Sequence, residues 1–410
     1  MLHVTTFYVA RVLANSIKNV DNSHKNSGNI DINDIRRLDM VKRLLIGHQS
    51  ALLVYRASGS KLMTPPEQID GTLMPCDCTT RMRNFRHSDN IQRLMDSQAL
   101  DLIAYSKNAM HKIEGCRTHI MRGPLPDGSF WSLGNEILVA SPALTLLQCC
   151  QDLSNRTSLA QMCWCQDLIE EFGDLGKLVA AVELCSELCG AYSIMPDQSG
   201  GFHRHTPFVS KQYMQVQLSQ IQNKQGVRLA RKAAAYASPL SASPRETAVF
   251  IVITTPWPVG YGIELPSTNE LIFPDDLDFD CCETDETIYC ADYRWNGKRL
   301  RNGKRRRDTV LEYDSDEYHT ARAGLTDEQL KRQGERRDSI EASGSHFLRL
   351  TTDHTKSFEF FDEKMRQLST LLRIDLPSRT TDEEDIARRF QELVFDTVRF
   401  RTVGSAVAFG

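Results

Sequence analysis

Residues Ile288–His319 read IYCADYRW, then NGKRLRNGKRRR, then DTVLEYDSDEYH. Two short β-like runs flank a basic, hairpin-like segment. The first run carries one carboxylate, Asp292, and the second carries Glu312 and Asp314, two residues apart. Side chains alternate faces along a strand, so Glu312 and Asp314 are expected on one side with Tyr313 on the other. If the two runs pair, three carboxylates converge on one point, which is how an oxygen site for a hard divalent cation is built. Carboxylates suit Mg²⁺ or Mn²⁺ better than soft metals. Between the runs lie Lys298, Arg299, Lys304, Arg305, Arg306 and Arg307. Such a run either neutralises phosphates, releasing counterions, or is a solvated hairpin tip.

Outward from this stretch, the C-terminal third reads as alternating helix and strand. VRLARKAAAYA is helical. In SPRETAVFIVITTP, Ser243 is placed as an N-cap, Pro244 at the first helical position and Glu246 at the third. That puts a carboxylate at a helix start. PVGYGIELPSTNELIF supplies glycine turns and a strand, and residues 274–287 are an acidic run of the kind found in solvated loops. Downstream, LTDEQLKRQGERRDSIEASG reads as a helix, with a Thr326/Gln329 capping box and Gly344 as its stop. HFLRLTT reads as a buried strand. SFEFFDEKMRQLSTLLRI places Phe361, Met365, Leu368 and Leu372 on one helical face. A last helix follows, with a Thr381/Glu384 box. Helices on the faces of a small mixed sheet give an α/β layer.

The first half predicts a mainly helical α+β region. Residues 136–193 have a helical period, with Ser141 as N-cap and Pro142 at the first helical position. Ile35 to Leu45 show helical spacing, and a second helix starts near His48, a surface or capping residue. From Lys61 to Asn135 small strands and loops are expected. The expected divisions are 1–225, 226–375 and a C-terminal helix and tail over 376–410.

The chain has 410 residues, a net charge of −4, 41% hydrophobic and 25% charged residues, as soluble globular proteins do. Its twelve cysteines include no CxxC pair. Only Cys185/Cys189 has zinc-like spacing, without a second pair. Reduced thiols, several in helical cores, are expected. The start lacks a basic signal-peptide region and no run approaches ~18 apolar residues, so a cytoplasmic protein without a membrane span is expected. G-x-S-x-G, Walker A and G-x-G-x-x-G patterns are absent, which removes those hydrolase and nucleotide-binding classes. The HRH triplet at 203–205 has no carboxylate or cysteine pair nearby.

The string from Ser243 to His346 resembles the Vsr-like endonuclease domain (domain of unknown function 559) of the PD-(D/E)XK nuclease superfamily. The pieces that carry the resemblance are SPRET, ADYRW, VLEYDSDEYH and ERRDSIEASGSHFLRL. It implies a restriction-endonuclease-like sheet flanked by helices, and Mg²⁺- or Mn²⁺-dependent phosphodiester cleavage in DNA. Glu246, Asp292, Glu312 and Asp314 match the family's acidic positions, His319 its histidine, and Arg337 and Asp338 its helix. Of these, Asp292, Glu312 and Asp314 are the implied metal ligands. Arg337 joins the basic run as an implied nucleic-acid contact. Asp314 stands where the wider superfamily has a lysine, so the general base is unassigned, and His319 is the side chain able to orient or deprotonate water. Upstream, GHQSALLVYR, SPALTLLQCCQDL and ELCGAYS resemble abortive-infection-type antitoxin proteins that carry such a domain. That implies a DNA- or partner-binding N-terminal half. The competing reading is a non-catalytic DNA-binding regulator on a nuclease-like scaffold.

Overall fold

The computed structural model describes residues 44–59, 66–68, 99–104, 115–121, 123–134, 137–159, 162–195, 201–272, 289–298, 306–314, 334, 337–338, 340–341 and 344–403. The chain divides into two compact units, one of residues 1–149 and 216–227, the other of 150–215 and 228–410.

The first unit holds a six-stranded mixed sheet. Its strands are β1 (Leu44–Ile46), β2 (Glu67–Gln68), β3 (Leu100–Ala104), β4 (Cys116–Ile120), β5 (Phe130–Ser132) and β6 (Ile137–Ala140), in the order β2-β5-β6-β1-β3-β4. β1 runs parallel to β6, and β3 to β4. The central strands β1, β3 and β6 are buried at every residue, which is why they read LLI, LDLIA and ILVA without alternation. Leu44 and Leu45 were expected on a helix. They lie on β1, because a short apolar run fully buried in a sheet has no period to separate it from a helix. The chain turns at Gly47 into α1 (His48–Gly59). A Cβ on Gly47 would sit 2.6 Å from Ile103 Cδ1. His48 is buried, correcting its placement at the surface. Its φ is +52°, its amide donates to Gln148 Oε1 at 2.9 Å, and its ring stacks on His119. Helix α2 (Pro142–Leu153) starts where expected, with Ser141 Oγ accepting the Leu144 amide at 3.3 Å.

Asp101 is the one carboxylate in those central strands. It accepts from Arg117 Nη2 at 3.0 Å, His119 Nε2 at 2.9 Å and Ser50 Oγ at 3.3 Å. Burial pushes its pKa up, but the His119 hydrogen bond and the Arg117, His119 and His48 charges outweigh that and hold it below the usual value. A depressed folded-state pKa gives stability that is complete above the unfolded value, about pH 4, and is lost as pH falls through the folded one. Asp101→Asn should therefore cost about 2–3 kcal/mol at pH 7. The gap to wild type should shrink below about pH 4, as denaturation midpoints measured across pH will report.

In the second unit, α3 (Gln166–Leu188), kinked at Gly173, packs with α6 (Pro244–Thr254) and α8 (Thr381–Val403). Between them in sequence come the hairpin β7 (Tyr192–Ile194) and β8 (Phe202–Arg204), then α4 (Lys211–Gln220) and α5 (Val227–Tyr236). Phe172 meets Phe390 with ring centroids 5.2 Å apart. Residues 150–215 and the last helix fall in the same compact unit as the C-terminal sheet, and α6, buried along most of its length, packs with α3 and α8 in that unit. α7 (Phe358–Leu372) buries Phe361, Met365, Leu368 and Leu372 as its spacing requires. The box at the start of α8 is formed by Thr380 and Glu383, one residue before the expected pair. Cys149, Cys150, Cys185 and Cys189 are buried free thiols on or beside helices. Among the described residues no helix is long and apolar enough to cross a membrane.

Candidate metal centre

A four-stranded sheet carries the carboxylates, in the order β12-β11-β10-β9. β9 (Ser267–Ile272), β10 (Tyr289–Trp295) and β11 (Thr309–Asp314) are antiparallel neighbours, and β12 (His346–Thr351) runs parallel to β11. The return to β12 passes through helical positions up to Glu341 and ends at Gly344, whose φ of +76° is the helix stop that the sequence implied. Ile340 on that crossover packs with Ala291, Val310 and Phe347. Helix α6 precedes the sheet, so the described order is helix, three antiparallel strands, a connection with isolated helical positions, fourth strand, helix.

The ladder between β10 and β11 runs from Trp295↔Thr309 to Tyr293↔Leu311. Its next step would set Asp292 against Glu312. There the ladder breaks, and Asp292 Oδ2 takes the place of a main-chain acceptor, receiving the Tyr313 amide at 2.7 Å. On the other neighbour the same level holds Asn269, with φ +49°. Asn269 Nδ2 lies 3.4 Å from Glu246 Oε2. Tyr293 Oη donates to the Glu246 carbonyl at 2.6 Å. Burial first, then the charges of Glu246, Asp292 and Glu312, push the Tyr293 hydroxyl pKa well up. Asp292 of β10 and Glu312 of β11 thus lie at one level of the sheet with Asn269 of β9, whose side chain reaches Glu246 of α6.

Each acid has a structural task as well. Ser243 Oγ accepts the Glu246 amide at 3.2 Å, and the Glu246 carboxylate takes Ser243 Oγ at 2.9 Å and the Ala242 amide at 2.8 Å. Ser243 is thus the N-cap that the sequence predicts, while the Glu246 carboxylate reaches back one residue further, to the Ala242 amide. Glu312 is only 5% exposed. Asp314 forms an ion pair with Arg349 of β12. Asp292, Glu312 and Asp314 do not each bring an oxygen within 4.8 Å of the other two. Asp292 and Asp314 each hold a protein partner, the Tyr313 amide and the Arg349 guanidinium.

The basic segment divides. Arg306 was expected on the surface, as a phosphate contact or part of a solvated tip, and it is buried instead. It donates to Glu264 Oε1 at 2.8 Å, the Asn296 carbonyl at 3.0 Å and the Leu372 carbonyl at 3.2 Å. Its fork is consumed by the fold because Gly297 lets the returning strand approach closely, a Cβ there falling 2.2 Å from the Arg306 carbonyl. Lys298 is exposed and paired with Glu264. Arg307 is exposed, and Arg337 is exposed and bound to Glu341 at 3.1 Å. Arg299, Lys304, Arg305 and His319 lie outside the described residues. Arg306→Ala should lower stability by about 3 kcal/mol, since it strips a buried cation from its acceptors. It should leave the dependence of log K on log salt for DNA unchanged, and a shallower slope would return Arg306 to the phosphate-binding set.

Asn269, Tyr293 and Arg349 were not singled out from the sequence. Arg349 had a signal, as the one charge in FLRL between leucines buried on β12. A positive φ at Asn269 within a strand had none. No family model, curated protein sequence or solved structure matches this chain.

Proposed function

We propose that the chain is a divalent-cation-dependent DNA endonuclease or nicking enzyme, with Asp292 and Glu312 holding the cation. The observation that carries this reading is the end of the β10–β11 ladder, which sets Asp292 and Glu312 at one level with Asn269 and, through Asn269, beside Glu246 at the start of α6. The donor atoms are hard carboxylate oxygens, which fit Mg²⁺ or Mn²⁺. Such a cation supplies Lewis acidity and an acidified water for phosphodiester cleavage. Glu246 fixes the end of α6 beside the two ligands. His319 is the side chain that the resemblance offers for orienting water. The order of elements supports the restriction-endonuclease-like reading, since it is the order that the resemblance implies. Plasmid nicking in Mg²⁺ or Mn²⁺ by wild type and its loss in Asp292→Ala test the proposal. Wild type that titrates Mn²⁺ yet leaves supercoiled plasmid intact refutes it.

One observation favours the second reading, a DNA-binding regulator without catalysis. Asp292 and Asp314 already have protein partners in Tyr313 and Arg349. On that reading the chain binds DNA with equal affinity in chelator and in Mg²⁺.

A further inference from the structure

Arg349 is in register with Glu312, and its Nε faces Asp314, so one strand step holds a cation against two acids. Its side chain is 51% exposed, whereas that of Asp314 is 21% exposed. Among the described residues its ion pair is with Asp314. The contrast with Arg306 is direct, since that side chain is buried and its fork is spent on Glu264 and two carbonyls. A half-exposed guanidinium on this face is placed to donate to the oxygens of a phosphate. Beside a cation site, a second positive group answers a specific need. A phosphodiester approaching Asp292, Glu312 and Asp314 meets net negative charge, and Arg349 offsets it.

We propose that Arg349 is a phosphate-binding residue of the Asp292/Glu312 site, taking a nonbridging oxygen of the nucleic-acid backbone, and that Asp314 aims it. This rests on the nuclease reading for the cation, but its own contact is with phosphate. Asp314 is then a positioning residue for the guanidinium, filling the place where the resembled superfamily has a positive side chain, with the charge carried on the next strand.

The test is duplex DNA binding by the full chain in Ca²⁺, followed by fluorescence anisotropy across a salt series, beside calorimetric titration with Mn²⁺ alone. Arg349→Ala should weaken DNA binding ~10-fold and flatten the log K against log salt slope by about one. Its Mn²⁺ affinity should stay within about twofold of wild type, because the ligands are untouched. Asp314→Asn leaves the guanidinium but loses its aim, so it should weaken DNA binding by only about threefold and leave the salt slope unchanged. If Arg349→Ala and Asp314→Asn weaken binding alike, the pair is only a structural tie and the proposal falls. An unchanged affinity and slope in Arg349→Ala also overturns it. If Mn²⁺ binding proves independent of Glu312 while Arg349→Ala still loses DNA affinity, the cation reading fails and the phosphate contact stands.

Discussion

Replacing Arg379 with alanine is expected to lower the stability of the second unit by about 3–5 kcal/mol, the range for stripping one partner from a buried charged network. The Arg379 side chain is 3% exposed. It donates to the Pro258 carbonyl at 2.8 Å, the Gly260 carbonyl at 2.7 Å and Asp362 Oδ1 at 2.9 Å. Its guanidinium lies 4.0 Å from the Trp257 ring centroid and 4.7 Å from that of Tyr261. The Tyr261 hydroxyl donates to the same Asp362 oxygen at 3.1 Å. Burial, then the Asp362 charge, pushes its pKa up, so it stays a donor across the working range. One residue therefore ties the loop after α6 to the start of α7. Its removal leaves two carbonyls without their donor and an apolar slot where the guanidinium stacked. Arg379→Lys keeps the charge and loses the planar fork, so its cost should fall between alanine and wild type. Denaturant midpoints of the full-length variants decide the matter. An alanine variant within about 1 kcal/mol of wild type would show that water or Arg366 takes over the acceptors.

Arg379 also shows where sequence reading stops. In LPSRTTDEE it reads as a polar break between two amphipathic helices, and nothing in that string announces Trp257 and Tyr261, far off in the chain, as its aromatic partners. Local signals served better. Ser243–Pro244–Glu246 and Ser141–Pro142 cap the helices that their spacing implies, because a cap is a contact within one turn. The four apolar positions of α7 are legible for the same reason. Tertiary choices override local preference in the other cases. LLI becomes a strand because β3 and β6 flank it, and His48 goes inward to stack on His119. At the candidate site the acids themselves were visible, as was their assignment to neighbouring strands. The positions of their oxygens were not. Those depend on a ladder break set by Asn269 and on a charge from β12, neither of which alternation along one strand encodes.

Glu312→Gln should separate folding from function at this site. The substitution keeps shape and removes one charge, at a residue 5% exposed on the third strand of a sheet. A buried carboxylate is costlier to desolvate than an amide of the same shape. In chelator the variant should therefore be at least as stable as wild type. Added Mn²⁺ should raise the melting temperature of wild type by mass action, and Glu312→Gln should lose most of that rise. Its nicking rate should fall ~10³-fold, because cation stabilisation of a phosphoryl transition state amounts to several kcal/mol, with each 1.36 a factor of ten. A gain in chelator stability with a loss of cation response is the signature of a charge kept against the interest of folding, which binding sites tolerate and cores do not. The opposite pattern, a destabilised apo protein that still responds fully to Mn²⁺, would make Glu312 a structural carboxylate and remove the cation from this sheet.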